Sequence, residues 1–443
     1  MVDAPVSEIA SAAEPSGLPA RRAALDILML VRAGQPFDAA LENCRSFGAL
    51  AGADRGFARA LASTVLRRQG SLEALLAPYL DKPLPKRAER AMDILRLVAA
   101  QTALMGIADH AAVATAVDLA RSFKETQGYA GLINAIGRKI ARSGKSAVEK
   151  LPVRADTPGW LWRSWERAYG PNGVRRIAEA HRREPPLDLT LKPGVEPAAC
   201  AERLGGAVTP LGGVRLTNAG PVAALDGFAN GDWWVQDAAA ALPARLFGDV
   251  AGKTVLDWCA APGGKTMQLA AAGAAVVAVD SSGPRLKRVA ENLQRTGLRA
   301  ETVKADLLNW TPPCPVDALL LDAPCTATGT IRRNPDILWA RREEDISVLI
   351  SLQAKLIERA VLALKPGGVL VYSVCSLQPE EGERQIEQAL ERIKGVRRVP
   401  LAKAELPGLP EAITAVGDLR TLPSMWPDIG GMDGFFAARL VRT

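Results

Sequence analysis

The chain has 443 residues, 48% of them hydrophobic and 23% charged, which excludes an intrinsically disordered protein and leaves room for two or three domains. Its 55 Lys and Arg exceed 48 Asp and Glu, and the resulting +7 suits a polyanionic partner without requiring one. The longest apolar runs, such as Ala270 to Val279, are too short and too alanine-rich to span a bilayer. The N-terminus has no basic start followed by an apolar stretch, so a cytoplasmic protein with no membrane partner is expected.

Residues 1–17, rich in Ala, Ser, Glu and Pro, read as a flexible tail. From 18 to 145 apolar residues recur three and four apart: Leu25, Leu28 and Met29; Phe57, Leu61, Val65 and Leu66; then Met92 to Leu104 and Ala111 to Phe123. This predicts an all-helical domain, with Asp54 a candidate cap for the helix through Phe57. Residues 143–157, with Ser, Gly, Lys and Pro, read as a linker. Residues 146–235 then form a linker helix, from Trp160 to Arg183, and a small α+β module. Its short strands are expected around Leu187 to Leu191, Val208, Val214, Leu216 and Val222. From Gln236 to the end, helices alternate with strands at Val255 to Trp258, Ala275 to Val279, Ala318 to Leu321 and Val369 to Val374. That is the pattern of a doubly wound parallel sheet.

The first of these strands runs into Cys259-Ala260-Ala261-Pro262-Gly263-Gly264-Lys265-Thr266. Small residues and glycines allow a sharp turn and close approach to a ligand, and a helix N-terminus offers unpaired N–H groups. The second strand ends in Asp280, where an acidic side chain accepts from ribose hydroxyls; Asp306 follows a short third strand, Glu301 to Lys304, and could accept from an adenine amino group. Gly263-Gly264-Lys265-Thr266 matches the end of a phosphate-binding loop, but position 259 is Cys where its first Gly belongs. A dinucleotide G-x-G-x-x-G is absent.

The six cysteines (Cys44, Cys200, Cys259, Cys314, Cys325 and Cys375) have no CxxC spacing and lie far in sequence from His110 and His181, so neither a zinc site nor a disulfide framework is expected. Acid–base work falls to Cys, Asp, Glu or Lys. Two cysteines stand out by position. Asp322-Ala323-Pro324-Cys325-Thr326 follows the fourth strand of the sheet, and Cys375-Ser376 follows the fifth, on the edge that carries the glycine turn. A lone buried cysteine is more often a core residue than a catalyst. Two at one such edge, each flanked by polar residues, point to thiol chemistry.

The segments LDWCAAPGGKT (256–266), VVAVD (276–280), LLLDAPCTATGTIRRNPD (319–336), LKPGGVLVYSVCSLQPEEGE (364–383) and GMDGFFAARL (431–440) resemble the motif series of the Sun-type RNA 5-methylcytosine methyltransferases. Asp54-Arg55-Gly56-Phe57 with Arg67, and Asn134-Ala135 with Arg138, resemble the NusB-like domain that one bacterial ribosomal RNA branch of that family carries. The resemblance covers nearly the whole chain. It implies an all-α NusB-like RNA-binding domain, a small α+β module and a C-terminal α/β Rossmann-like class I methyltransferase domain. It also implies S-adenosyl-L-methionine held by 259–265, Asp280, Asp306 and Asp322. By the same resemblance Cys375 forms the covalent bond and Cys325 aids product release. Ser373-Val374-Cys375 stands where the family more often has Thr-Cys, and the NusB-like half departs further from its pattern.

Chemistry explains why two thiols serve this reaction. Carbon 5 of cytosine becomes nucleophilic only when a thiolate adds at carbon 6; afterwards the carbon-5 proton must leave before the thiol is eliminated. Asp322 could hydrogen-bond the cytosine amino group or ring nitrogen, and Lys265 could assist or orient Asp322. DNA cytosine methyltransferases use the cysteine of the Pro-Cys motif as nucleophile, so both cysteines together favour RNA over DNA. A base inside a helix must be flipped or met in a loop. Arg332, Arg333, Arg341 and Arg342, with Trp339 between them, are candidates for phosphate and base contacts, against the plainer reading of solvated arginines and a packed tryptophan. The expected substrate is a cytosine of 16S rRNA, naked or in an early small-subunit particle, and the enzyme a monomer. Transfer RNA, or a non-catalytic NusB-like assembly factor, are the alternatives.

Overall fold

The computed structural model describes residues 17–217 and 219–443; most of the stretch read as a tail lies outside them. The chain forms two compact units, one reaching Thr157 and also including Asn334–Ala340, the other comprising Pro158–Arg333 and Arg341–Thr443.

The first unit is helical: α1 (Leu18–Arg32), α2 (Phe37–Asn43), α3 (Arg45–Gly48), α4 (Gly52–Arg67), α5 (Gln69–Leu76), α6 (Glu89–Ala103), α7 (Asp109–Arg121) and α8 (Ala130–Glu149). Helix α8 buries Ile133, Ile136, Gly137, Ile140, Gly144 and Val148, a stripe at the helical period. Gly137 permits close packing, because a Cβ there would lie 3.2 Å from both Val98 and Val113. Buried Arg96 ties α5 to α6 through Glu73, Glu89 and Asp93. Asp54 is not the cap of α4: Ala51 holds that position and Asp54 sits in the first turn, where a carboxylate still favours the helix dipole. Nor are residues 143–157 a loose linker. Helix α8 continues to Glu149, and buried Asp156 accepts from Ser71 N at 2.7 Å and from Arg68 Nε at 2.9 Å. The separate segment Asn334–Ala340 includes the helical turn α14 (Ile337–Ala340). Its Trp339 Nε1 donates to Leu66 O at 2.7 Å, and its Asp336 accepts from Phe37 N at 3.2 Å.

The second unit begins with α9 (Gly159–His181), broken at Gly170, where φ is 73°, and Pro171. A small antiparallel sheet follows: β1 (Leu187–Leu191), α10 (Pro197–Leu204), β2 (Ala207–Val208), β3 (Val214–Leu216) and β4 (Trp233–Val235), in the order β2-β3-β1-β4. Val222 does not belong to it. Pro221, which has no N–H to donate, leads instead into a 3-10 turn over Val222–Ala224.

The main sheet is built from α11 (Leu242–Arg245), β5 (Thr254–Trp258), α12 (Gly264–Ala271), β6 (Ala275–Asp280), α13 (Gly283–Thr296), β7 (Glu301–Lys304), β8 (Val316–Asp322), α15 (Asp345–Leu362), β9 (Leu364–Val374), α16 (Glu383–Arg392), β10 (Val396–Arg398), β11 (Leu419–Arg420) and β12 (Phe436–Arg442). Its order is β10-β12-β9-β8-β5-β6-β7, with β11 paired to β12. Strands β5 to β9 run parallel and β12 antiparallel. The order reverses between β5 and β8, so a crevice opens beyond their carboxyl ends. Side chains alternate across the strands. Leu256, Leu319, Leu321, Leu370 and Tyr372 pack with Leu356 and Ile357 of α15. Val255, Leu320 and Val371 pack in a second cluster with Leu242, Leu269 and Leu401. The sheet is therefore covered on both faces, as a parallel sheet requires.

Candidate active site

Each expected site residue, apart from the arginines, lies at the carboxyl ends of β5 to β9. The turn after β5 uses a left-handed Cys259 (φ 60°) and Gly263 (φ 101°) to reverse into α12. A Cβ on Gly263 would press on Val289 at 3.1 Å, so this glycine answers both to backbone angle and to close packing. Asp280, at the end of β6, is buried. One carboxylate oxygen accepts from Ala261 N at 3.2 Å and the other from Ser282 N at 2.9 Å, and Arg285 bridges back to the Ala261 carbonyl. Each oxygen retains a lone pair for a sugar hydroxyl. Asp306, at the exposed edge after β7, accepts from Leu308 N at 3.0 Å and from Asn309 Nδ2 at 2.6 Å. Backbone turn, buried acid and edge acid fit the adenosine portion of S-adenosylmethionine.

Beneath the turn, fully buried Asp257 accepts from Thr266 Oγ1 at 2.5 Å. Burial raises its carboxyl to about 7, against the opposing effects of Thr266 and Lys265. Burial, reinforced by Asp322 and Asp280, also pushes the Cys259 thiol far up. Cys259 is thus an inert thiol that shapes the turn. Lys265 Nζ donates to Asp322 Oδ2 at 2.7 Å, Ser373 Oγ donates to Asp322 Oδ1 at 3.0 Å, and the ammonium lies 5.1 Å from the Phe435 ring centre.

Cys325 and Cys375 meet. Their sulfurs are 3.4 Å apart, Cys325 buried and Cys375 half-buried. The hydrogen bond to Cys375 and then burial hold the Cys325 thiol well above its ordinary pKa, so it remains S–H and can donate to its neighbour. The turns behind the sulfurs interlock: Gly329 N donates to Cys375 O at 3.0 Å, Leu377 N to Thr328 Oγ1 at 3.0 Å, and Gly434 N to Gly329 O at 2.9 Å.

The arginines divide. Arg332 is not on a surface that can meet RNA: it is 2% exposed and donates to Gly430 O at 2.6 Å. Arg333 is partly exposed but paired to buried Asp433, close enough to Cys375 for their charges to interact. Arg341 donates from Nε to Thr326 O at 3.0 Å, beside Cys325. Arg342 is exposed. Trp339 serves the helical unit through Leu66.

Sequence reasoning missed the buried polar cluster under the two cysteines, above all Glu381 and its donors Thr326, Ser376 and Gln353. Glu381 lies within a segment that resembles the family motif, but an acidic run reads as a solvated face until burial is known.

Two family models match the chain: "16S rRNA methyltransferase RsmB/F" over residues 246–441 and "NusB family" over 18–142. Ribosomal RNA small subunit methyltransferase B of Pseudomonas syringae pv. tomato is 37% identical over 414 residues, covering 88% of this chain and 89% of that protein. The chain belongs to the RsmB/F methyltransferase family. As a member it is an S-adenosylmethionine-dependent RNA methyltransferase with a NusB-type N-terminal domain. Among solved structures, PH0851 superposes with a TM-score of 0.74 at 21% identity, covering 98% of this chain and 100% of that one. A methyltransferase homologue from Pyrococcus horikoshii gives 0.52 at 27% identity, covering 69% of this chain and 98% of its own. The sheet of RsmB/F enzymes is thus the frame on which the paired thiols sit. Among the described residues no helix is long and apolar enough to cross a membrane.

Proposed function

We propose that the enzyme methylates carbon 5 of a cytosine in 16S rRNA, with Cys375 as the covalent nucleophile and Cys325 as the thiol that assists proton removal and release. The observation that carries this reading is the 3.4 Å approach of the two sulfurs at the sheet edge that also bears the glycine turn and Asp280. The target follows the family description and the name of the Pseudomonas relative. The protein is taken to work as a monomer in the cytoplasm, on naked RNA or an early small-subunit particle.

Residues 259–265, Asp280, Asp306 and Asp322 would hold S-adenosylmethionine, which supplies an electrophilic methyl group on a sulfonium. Cys375 as thiolate adds to carbon 6, and the electron pair displaced onto carbon 5 takes that methyl. The protein must then remove the carbon-5 proton, so that the carbon 6–sulfur bond can break and return its electrons to Cys375. A protonated Cys325 beside Cys375 suits this division, because its S–H can donate to the thiolate before attack and again as it departs. Asp322, held by Lys265 and Ser373, is placed to hydrogen-bond the exocyclic amino group or ring nitrogen. Exposed Arg342 remains the arginine suited to phosphate contact. A flipped base in a dry pocket meets these groups without competing water.

The test is incubation with methyl-labelled S-adenosylmethionine and either 16S rRNA or transfer RNA, followed by digestion to nucleosides. Label in 5-methylcytidine from 16S rRNA is expected. Label confined to transfer RNA would reject the target, and label in neither would favour a non-catalytic NusB-like assembly factor.

A further inference from the structure

Beneath the two sulfurs lies a carboxylate that the reaction scheme does not use. Glu381 is fully buried, 0% exposed, in the turn that follows Cys375. Its Oε1 accepts from Thr326 N at 2.9 Å and from Gln353 Nε2 at 3.0 Å. Its Oε2 accepts from Ser376 Oγ at 2.5 Å and from the Thr326 hydroxyl. Thr326 is the residue after Cys325, and Ser376 is the residue after Cys375. One side chain thus grips the same position, one residue on, in both cysteine turns.

The grip is itself anchored. Tyr372 OH donates to Glu381 O at 2.6 Å, Gln353 Nε2 also reaches Pro324 O at 2.9 Å, and Arg420 Nη1 donates to Ser376 O at 2.6 Å. Hydrogen bonds to a buried charged acceptor are the strong kind, and a buried carboxylate with several donors resists rearrangement. Neither turn belongs to a strand, so the ladder between β8 and β9, which ends at Asp322 and Ser373, does not fix the distance between the sulfurs.

We infer that Glu381 is a positioning residue that clasps the turns after β8 and β9 and thereby sets the separation of the Cys325 and Cys375 sulfurs. This rests on the reading of those cysteines as the reacting pair, but its decisive readout does not. Phenylarsine oxide condenses with two neighbouring thiols, forming two As–S bonds and releasing water, and so reports their proximity whatever the enzyme's activity. Bridging is followed by intact mass and thiol titration, with Cys325→Ser as the blank. Glu381→Ala is expected to slow bridging and single-turnover methyl transfer together, by about 10²-fold for a misplacement near 1 Å, while affinity for S-adenosylmethionine is kept. Glu381→Gln retains the shape, and the two hydroxyls can turn to accept from its amide, so substantial rescue of both is expected. Should Glu381→Ala fail to fold, shown by loss of cofactor binding, Ser376→Ala removes one arm of the clasp and is read in the same way. Bridging at the wild-type rate in a folded Glu381→Ala or Ser376→Ala protein would overturn the inference. Bridging lost in Glu381→Ala, with no RNA adduct ever forming on wild-type Cys375, would leave the clasp standing and count instead against the proposed nucleophile.

Discussion

Lys265 Nζ stands 2.7 Å from Asp322 Oδ2, so a cation from the glycine turn and a carboxylate from the first cysteine turn form one ion pair across the switch point. Both side chains are largely shielded, at 10% and 27% exposure. Removing the cation alone leaves Asp322 short of its partner. Lys265→Ala should cost about 2 kcal/mol in denaturant unfolding, and Lys265→Met with Asp322→Asn should recover most of that loss. Equal destabilisation in the single and double variants would show that the pair does not act as a unit.

The division of labour between the thiols predicts opposite gel patterns. Cys325→Ala should accumulate an enzyme–RNA adduct that survives denaturing electrophoresis, because release is impaired. Cys375→Ala should abolish adduct and methylation alike. An adduct in Cys375→Ala, and none in Cys325→Ala, would reverse the assignment.

Asp257 gives the fold a pH dependence with a definite sign. Its carboxyl is raised from an ordinary 3.8 to about 7 by burial, so the folded state keeps a proton that the unfolded chain has already released. Its contribution to stability is complete below 3.8 and is lost as pH rises towards 7. Asp418 and Asp433, raised by burial to about 6, act in the same direction. Urea midpoints measured across this window should show a shallower decline with pH for Asp257→Asn than for wild type. An unchanged profile would mean that Asp257 does not hold the proton.

Gly329→Ala should damage the site through packing. The new Cβ would sit 1.8 Å from Gly434 O, where backbone meets backbone and cannot yield cheaply. A loss of about 1–3 kcal/mol is expected. Methyl transfer should fall with it, because Gly329 N also supports Cys375 O. A variant with wild-type thermal stability would contradict the close contact.

Arg332 and Arg342 should separate stability from RNA affinity. Arg332→Ala removes a buried hydrogen-bonded side chain and should lower the unfolding temperature without altering the salt dependence of RNA binding. Arg342→Ala should leave stability alone and reduce the slope of log affinity against log salt by about 0.7–0.9, one phosphate contact. The opposite pattern would restore Arg332 to the RNA surface.

Strand ends were easy to read from sequence because turn chemistry and period-two burial coincide there. Asp280, Cys325 and Cys375 all lie at the tips expected of them, and the helical half follows from apolar spacing alone. Burial of charge was not legible. Nothing local distinguishes Arg332 inside from Arg342 outside, or buried Glu381 from its neighbour Glu380, because their positions depend on partners far along the chain, such as Gly430 and Thr326. The same holds for Asp54, whose place in the first turn was set by where α4 began. The break at Val222 was a proline effect that a pattern of scattered valines concealed.

Because Asn334–Ala340 completes the helical unit although it is encoded between the two cysteine turns, no single cleavage of the gene yields both halves intact. A fragment stopping at Thr157 would expose the Leu66 carbonyl and the Phe37 amide that Trp339 and Asp336 engage. Co-expression of split halves, or an added peptide spanning 334–340, is therefore the practical route to the isolated N-terminal piece.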